Sequence, residues 1–530
     1  MVGRRAFLLV WAVLVVAAYL AAWRAPAVGF FHDDGLYAVT AKALAEGQGY
    51  RITSLPTPIP QTKYPVLFPA LLSIVWRAYP AFPANLPWLK LVPLASVLLW
   101  LALSVTWLRQ RGATPTEARF IVAAAASTGW AIFLSSTLLS EALFGALVVA
   151  ALVLAHRVDT PLACSSRSTG RLSWLRPAAA GGCAAAAMNT RTAALALVLG
   201  IGVSWAWKRR WTELAVFGLV VVALTAPWIW WVRHAEPAGL SPVEAYYSAA
   251  NYRLFNLFGD FSWAQRQQIV LLNLLQLVAS PAALIGLDTA RWAAPLVVGL
   301  FALTLYGAFR EPLDSTTAFA GLYTLQVVAW AWPPLRFVAP LLPLFLWYAW
   351  RGVPDRPRLR AAAPILLALV VARGTALYTE RVVRTGYPVP GAQRPDDWQT
   401  YQRVLDWVRT RTPPDAVVGA NLDPNVFLFA GRRAIRPFSY APYELLYSGR
   451  RPLFALGTPV EFVEWLRRFR IDYLILTPSR SLETVQMATL IAFVETGQPR
   501  AFVRHEIDPA GYVIYQVDRA LLAAPTWPVP

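Results

Sequence analysis

The sequence predicts a mainly α-helical, polytopic membrane protein of about eleven transmembrane helices, followed by a C-terminal extracytoplasmic α/β domain. Three observations carry this. Of 530 residues, 57% are hydrophobic and only 15% are charged, whereas a soluble globular chain carries about 25% charged residues. The deficit is confined to residues 1–385, where long apolar runs recur, while residues 390–530 read like an ordinary soluble domain. The basic residues behind the net charge of +19 sit in short loops between apolar runs. That distribution reports membrane orientation, and it lacks the Lys/Arg stripe of a nucleic-acid partner.

The first run, Ala6–Trp23, follows Arg4-Arg5 and has no Ala-x-Ala exit, so it reads as a first anchor and not as a cleaved signal. Further spans are predicted at 91–107, 120–135, 142–155, 177–190, 193–207, 212–231, 293–309, 316–332, 337–350 and 361–379. Loop charge orients them. Residues 1–5, 108–119, 156–176, 207–211, 310–315 and 351–360 hold 17 Lys/Arg in 59 residues; the alternate loops 24–90, 135–141, 189–192, 232–292 and 333–336 hold 12 in 143. The positive-inside rule places the first set in the cytoplasm, so the N-terminus is inside and the C-terminal domain outside a plasma or inner membrane. Gln267–Leu287 is apolar enough to span, but a twelfth crossing would reverse that parity. It is therefore expected to lie on the outer leaflet as an interfacial helix over 264–286, with Tyr64–Pro80 as a second such element.

The tail alternates helical and strand patterns. Asp396–Thr410, Val460–Phe469 and Ser481–Thr496 read as helices and Ala416–Ala420 and Ile471–Thr477 as strands, with a hairpin of Ala501–Ile507 and Tyr512–Val517 across Asp508–Gly511. The two cysteines, Cys164 and Cys183, imply no disulfide framework.

Nucleotide-phosphate loops of either glycine-rich kind are absent, as is any Asp-x-Asp triplet, and the four histidines have no metal-ligand spacing. No cofactor is predicted, and the sequence leaves a divalent-metal requirement open. Chemistry then falls to carboxylates and cations at the membrane boundary. Asp33 and Asp34 stand directly before a short amphipathic helix ending at Gly47; helix capping accounts for such a pair, yet two acids at a membrane exit are also functional candidates. Ser140-Glu141 opens a span in the same way, with Ser140 as a suitable N-cap. Lys63, Arg191 and Arg336 fall at the outer boundary. Each could snorkel to headgroups, whereas three on one face suggest an anion such as a lipid phosphate. Arg373, inside the last span, could join them or snorkel.

In order and context these residues resemble the multi-spanning glycosyltransferases of the C-type (GT-C) fold that use polyprenyl-phosphate sugars, among them protein O-mannosyltransferases and lipid A aminoarabinose transferases. The resemblance rests on Asp33-Asp34-Gly35-Leu36-Tyr37, Gly47–Tyr50, Lys63-Tyr64-Pro65, Ser140-Glu141, Thr190-Arg191 and Arg336 leading into the proline-rich run to Pro343. It implies a transferase of hexosyl or pentosyl groups from a polyprenyl-phosphate donor to a glycan, lipid or protein acceptor of the cell envelope. It further implies Asp33 as base, with Asp34 and Glu141 as catalytic acids of the site, and Tyr37, Lys63, Tyr64, Arg191 and Arg336 as substrate-binding residues. Many relatives have Asp-Glu where this chain has Asp33-Asp34, so the two roles could be exchanged. The C-terminal domain carries no motif of the family and is expected to order the acceptor without supplying a catalytic group. The alternatives are a transporter or flippase of lipid-linked sugars, and a non-catalytic envelope protein.

Overall fold

The computed structural model describes residues 2–159, 174–287, 293–391, 396–449, 453–479, 481–498, 500–508 and 511–522. Cys164 and the middle of the expected turn at 508–511 lie outside the described residues.

A helix occupies every range expected to span. By length and composition five helices among the described residues are long and apolar enough to cross a membrane: Leu86–Gln110, Glu141–Asp159, Trp211–Ala235, Trp263–Leu284 and Pro357–Thr385. A sixth arises if Pro115–Ala126 and Gly129–Ser136, bent by 65° at a short break, count as one. The others are shorter, such as Leu175–Met188 and Ser315–Val328, or broken by proline, as around Pro340 and Pro343.

The two loop sets defined by charge gather at opposite ends of the bundle. At one end Arg111 pairs with Asp314 at 2.7 Å, Lys208 with Asp159 at 2.9 Å and Arg351 with Glu311 at 3.1 Å. These contacts join the basic loops to one another. At the other end Leu138 N–H donates to Ala27 O, Leu67 N–H to Asn189 O and Ala249 N–H to Thr62 Oγ1, each at 2.9–3.0 Å. The Glu141–Asp159 helix connects the ends with an acid at each terminus, and its 19 residues give it a length of about 28 Å, close to the hydrocarbon thickness of a bilayer.

The segment read as an interfacial helix is different in the structure. Trp263–Leu284 begins beside the C-terminal region, where Gln268 Nε2 donates to Tyr447 O at 2.8 Å. Asn273 Nδ2 then reaches Val328 O and Trp330 O at the end of the Ser315–Val328 helix. Its C-terminal end arrives at the middle of Pro357–Thr385: a Cβ on Gly286 would stand 2.7 Å from Gly374 Cα, so two glycines permit the contact. Ala294–Phe309 continues from there to the far end, where Gly307 packs on Tyr348 and Gly352. Two helices in series thus make one traverse. Parity counting over the sequence could not distinguish that from a helix lying flat.

In the C-terminal region β3 (Val417–Gly419), β4 (Arg433–Ile435), β5 (Ile471–Leu476), β6 (Phe502–Asp508) and β7 (Tyr512–Val517) form a mixed sheet ordered β4-β3-β5-β7-β6. The β3 pairings are parallel and the others antiparallel. Trp398–Arg411, Pro459–Arg468 and Leu482–Gly497 pack against it. The small hairpin β1 (Arg51–Ile52) and β2 (Ile59–Pro60) lies in the first long loop. The sheet shares a core with that loop: Leu36, Val39, Ile52, Leu55 and Ile59 are buried with Val417, Ile435 and Leu474. Ala434 N–H donates to Ser54 O at 2.9 Å. At Gly35 a Cβ would stand 2.7 Å from Pro424 Cβ, so glycine lets the His32–Ala45 helix seat directly on the C-terminal segment.

Candidate active site

Phe31 is the N-cap of the His32–Ala45 helix, so the acid pair lies inside its first turn and not before it. The register separates the two acids. Asp34 reaches back: its Oδ2 accepts from the N–H groups of Gly29, Phe30 and Phe31 at 3.1, 2.8 and 3.1 Å, and its Oδ1 from Gly35 N–H at 2.6 Å. A carboxylate so occupied holds a turn and has little capacity for a substrate proton. Asp34 is fully buried, whereas Asp33 lines a cavity of about 310 Å³.

Arg336 grips Asp33 with both terminal nitrogens, Nη1–Oδ1 at 3.1 Å and Nη2–Oδ2 at 2.5 Å, and its Nε donates to Glu141 Oε1 at 2.6 Å. The same Glu141 oxygen accepts from Arg191 Nη1 at 3.0 Å. Arg191 also donates to Ser140 Oγ at 3.1 Å, and Tyr37 OH bonds that hydroxyl at 2.9 Å. Glu141 and Tyr37 therefore stand behind the cavity wall and orient the groups that form it. Ser140, expected as a cap, is instead shared between Arg191 and Tyr37. Lys63 donates to Tyr246 O at 3.0 Å and lies 3.8 Å from the Tyr246 ring centre and 5.1 Å from that of Tyr64. Asp33, Lys63, Tyr64, Arg191 and Arg336 all line the cavity. Arg373 is exposed on the last long helix and does not join them.

The C-terminal region forms part of the same wall, through Leu422, Arg436, Tyr440 and Glu483. His32 Nε2 meets Asp423 Oδ1 at 2.8 Å, both residues being buried, and Arg436 Nε lies 3.8 Å from that oxygen. Arg436 Nε donates to Asn421 O at 2.7 Å and its Nη1 to Tyr440 OH, while Tyr440 stacks on Tyr246 with ring centres 4.1 Å apart. The region expected to order the acceptor without supplying a catalytic group thus borders the cavity directly. The sequence did not disclose this, because His32 and Asp423 are 391 residues apart and no local pattern records their meeting. Only the place of His32, next to the acid pair, offered a signal.

The charges are unevenly matched. Burial alone would raise the Asp33 carboxyl, but Arg336, with Arg191 and Lys63 beyond it, holds it below the usual carboxylate range. Burial, then Arg436 and Lys63, keep His32 neutral, well below the ordinary imidazole value. Burial and then Arg436 lower the Lys63 ammonium well below its ordinary value, against Asp33 and Asp423. Burial pushes Asp423 up to about 7. Among the described residues no group of three or more His, Cys, Asp or Glu is gathered as metal ligands.

No family model matches the chain, and no curated protein matches it. Solved structures do. ArnT from Cupriavidus metallidurans bound to undecaprenyl phosphate superposes with a TM-score of 0.60 at 14% identity, covering 97% of this chain and 98% of that one. The oligosaccharyltransferase AglB from Archaeoglobus fulgidus, in complex with an inhibitory peptide and a dolichol-phosphate, gives 0.53 at 13% identity, covering 100% of this chain and 75% of that one. With both likenesses running over nearly the whole chain, bundle and C-terminal sheet together, the chain has the GT-C fold.

Proposed function

We propose that the chain is an integral-membrane glycosyltransferase that moves a sugar from a polyprenyl-phosphate carrier to an envelope acceptor, with Asp33 as general base. The observation that carries this reading is the charge imbalance around the cavity. Lys63, Arg191, Arg336 and Arg436 all line it; Asp33 and, from behind the wall, Glu141 offset Arg191 and Arg336, whereas Lys63 has no ion pair among the described residues and Arg436 only Asp423 at 3.8 Å. Buried charge is costly unless paired, so a surplus of buried cations favours an anionic ligand. The carrier phosphate supplies that anion in the leaflet, where no nucleotide sugar is available.

The reaction balances on this chain's own groups. The acceptor oxygen bonds to the anomeric carbon, the bond from that carbon to the phosphate oxygen breaks, and the carrier phosphate leaves with the electron pair. The acceptor proton passes to the Asp33 carboxylate, while Lys63, Arg191 and Arg336 stabilise the departing phosphate. Arg336 occupies both Asp33 oxygens. A phosphate drawn to Arg336 competes for those donors and frees Asp33 for the proton. Glu141 and Tyr37 hold Arg191 and Arg336 in place and Asp34 fixes the turn before Asp33; none of the three touches the reacting atoms. The site end of the bundle faces outward, with the basic loop set in the cytoplasm.

The test is to incubate the purified full-length protein with a panel of polyprenyl-phosphate sugars and an envelope extract, and to follow release of the carrier phosphate. Release with one donor is expected. Absence of both release and binding across the panel would favour a transporter.

A further inference from the structure

The two cations of the cavity without a close carboxylate come from opposite ends of the sequence. Arg191 and Arg336 are neutralised locally by Glu141 and Asp33, at 2.5–3.1 Å. Lys63 makes no ion pair among the described residues; its ammonium meets a backbone carbonyl and two aromatic faces. Arg436 has only the Asp423 oxygen at 3.8 Å, and that oxygen is already engaged by His32 at 2.8 Å. Both residues are at least nine-tenths buried, and both line the cavity. Both also border one aromatic ring, with Lys63 Nζ 3.8 Å and Arg436 Cζ 4.8 Å from the centre of Tyr246. Two buried like charges so close repel one another, and a group that accepts from both relieves that repulsion. A phosphate, with several acceptor oxygens about 2.8 Å from each donor nitrogen, is small enough to touch both.

We propose that Arg436, supplied by the C-terminal region just after β4, is a direct ligand of the carrier phosphate opposite Lys63, so that the donor site is completed only when the C-terminal sheet is seated. The proposal rests on the lipid-linked donor reading above and deepens it. The local structure suits the role. Arg436 is fixed by the Asn421 carbonyl, Tyr440 OH and the stack of Tyr440 on Tyr246, so little side-chain entropy remains to be lost on binding. Its own N–H donates to Tyr247 OH at 3.0 Å, tying the strand end to the 246–247 loop segment. The bland alternative is that Arg436 is only a strut between Asp423, Asn421 and Tyr440.

The experiment measures binding of a long-chain polyprenyl phosphate, and of the polyprenol lacking the phosphate, to full-length protein carrying Arg436→Gln or Arg436→Lys. A ligand predicts that Arg436→Gln weakens the phosphorylated lipid about ten- to a hundredfold and leaves the alcohol unchanged. Arg436→Lys, which keeps the charge, should recover part of the loss. Unchanged phosphate affinity in Arg436→Gln, or an equal loss for the polyprenol, overturns the proposal. A wild-type protein that fails to bind the phosphorylated lipid overturns the donor reading itself. Should Arg436→Gln not fold, wild-type protein treated with an arginine-directed reagent decides the matter. Protection of Arg436 by polyprenyl phosphate and not by polyprenol is expected, and equal modification in both overturns the proposal.

Discussion

Arg336 bonds Asp33 through Nη1 and Nη2 and Glu141 through Nε, so one guanidinium bridges two buried carboxylates from different helices. Removing one partner of a buried pair leaves an uncompensated charge and costs about 3–5 kcal/mol. Arg336→Ala should therefore lower stability by about that much in chemical or thermal unfolding. Arg191→Ala should cost distinctly less, because Glu141 keeps Arg336. Equal losses would mean that the two arginines are not organised around these acids as described.

Asp34 answers a second question. Its carboxylate accepts four backbone N–H groups and, among the described residues, none from a side chain. Asp34→Ala strips those donors of their partner at about 1–3 kcal/mol for each buried group left unsatisfied. The expected signature is a lower unfolding midpoint with unchanged donor affinity in the molecules that remain folded. A variant of wild-type stability that has lost turnover would give Asp34 a chemical role after all.

Lys63 should impose a pH dependence on donor binding. The donor is a phosphodiester and does not titrate near neutrality, and the arginines stay charged. Burial and Arg436 lower the ammonium well below its ordinary value in the free protein, so it becomes neutral earlier on the alkaline side than a free lysine. Binding an anion favours the charged form and must take up that proton. Affinity should thus fall by up to about tenfold per unit once the pH passes the depressed value. Lys63→Arg should flatten the profile, and an alkaline fall that persists in that variant assigns it to another group.

Sidedness can be read with an impermeant thiol reagent. Thr410 in the C-terminal region and Thr116 at the basic-loop end are both exposed. In a background lacking Cys164 and Cys183, a cysteine at 410 should label in intact cells and one at 116 only after permeabilisation. The reverse pattern would place the site on the cytoplasmic face and remove the argument for a lipid-borne donor.

How much of this was legible depends on how local each signal is. Apolar runs and turn residues placed a helix over each expected span, and strands over 417–419, 471–476 and 512–517, because burial periodicity is a property of neighbouring residues. The cluster Asp33, Lys63, Arg191 and Arg336 followed from loop parity, since alternate loops must meet at one end of a bundle. What stayed hidden needs three dimensions. The division of labour between Asp33 and Asp34 depends on Phe31 being the N-cap, a shift of helix register by about one residue. The traverse made of Trp263–Leu284 and Ala294–Phe309 depends on a glycine pair on separate helices, Gly286 and Gly374. Arg436 reaches the cavity only because β4 pairs with β3 and the sheet sits on the first long loop.

Asp33→Asn carries the mechanism. An acceptor hydroxyl has a very high pKa, so it attacks carbon readily only if its proton is removed as the bond forms. A carboxylate within hydrogen-bond reach does this and contributes about 10²–10⁴-fold. Asp33 lines the cavity and is kept anionic against its burial by Arg336, Arg191 and Lys63. Asparagine keeps the size, and its amide oxygen still accepts one bond from Arg336. The helix start does not depend on residue 33, because Phe31 is the cap position and Asp34 makes the reach-back bond. Arg336 retains Glu141 as counter-charge. The variant should therefore fold, bind the lipid donor at least as tightly as wild type because one anion has left the phosphate site, and turn over at least about a hundredfold more slowly. Donor binding by thermal shift and release of carrier phosphate measure the two halves separately. Near-normal release from Asp33→Asn would exclude Asp33 as base, and loss of donor binding would make it a structural partner of Arg336.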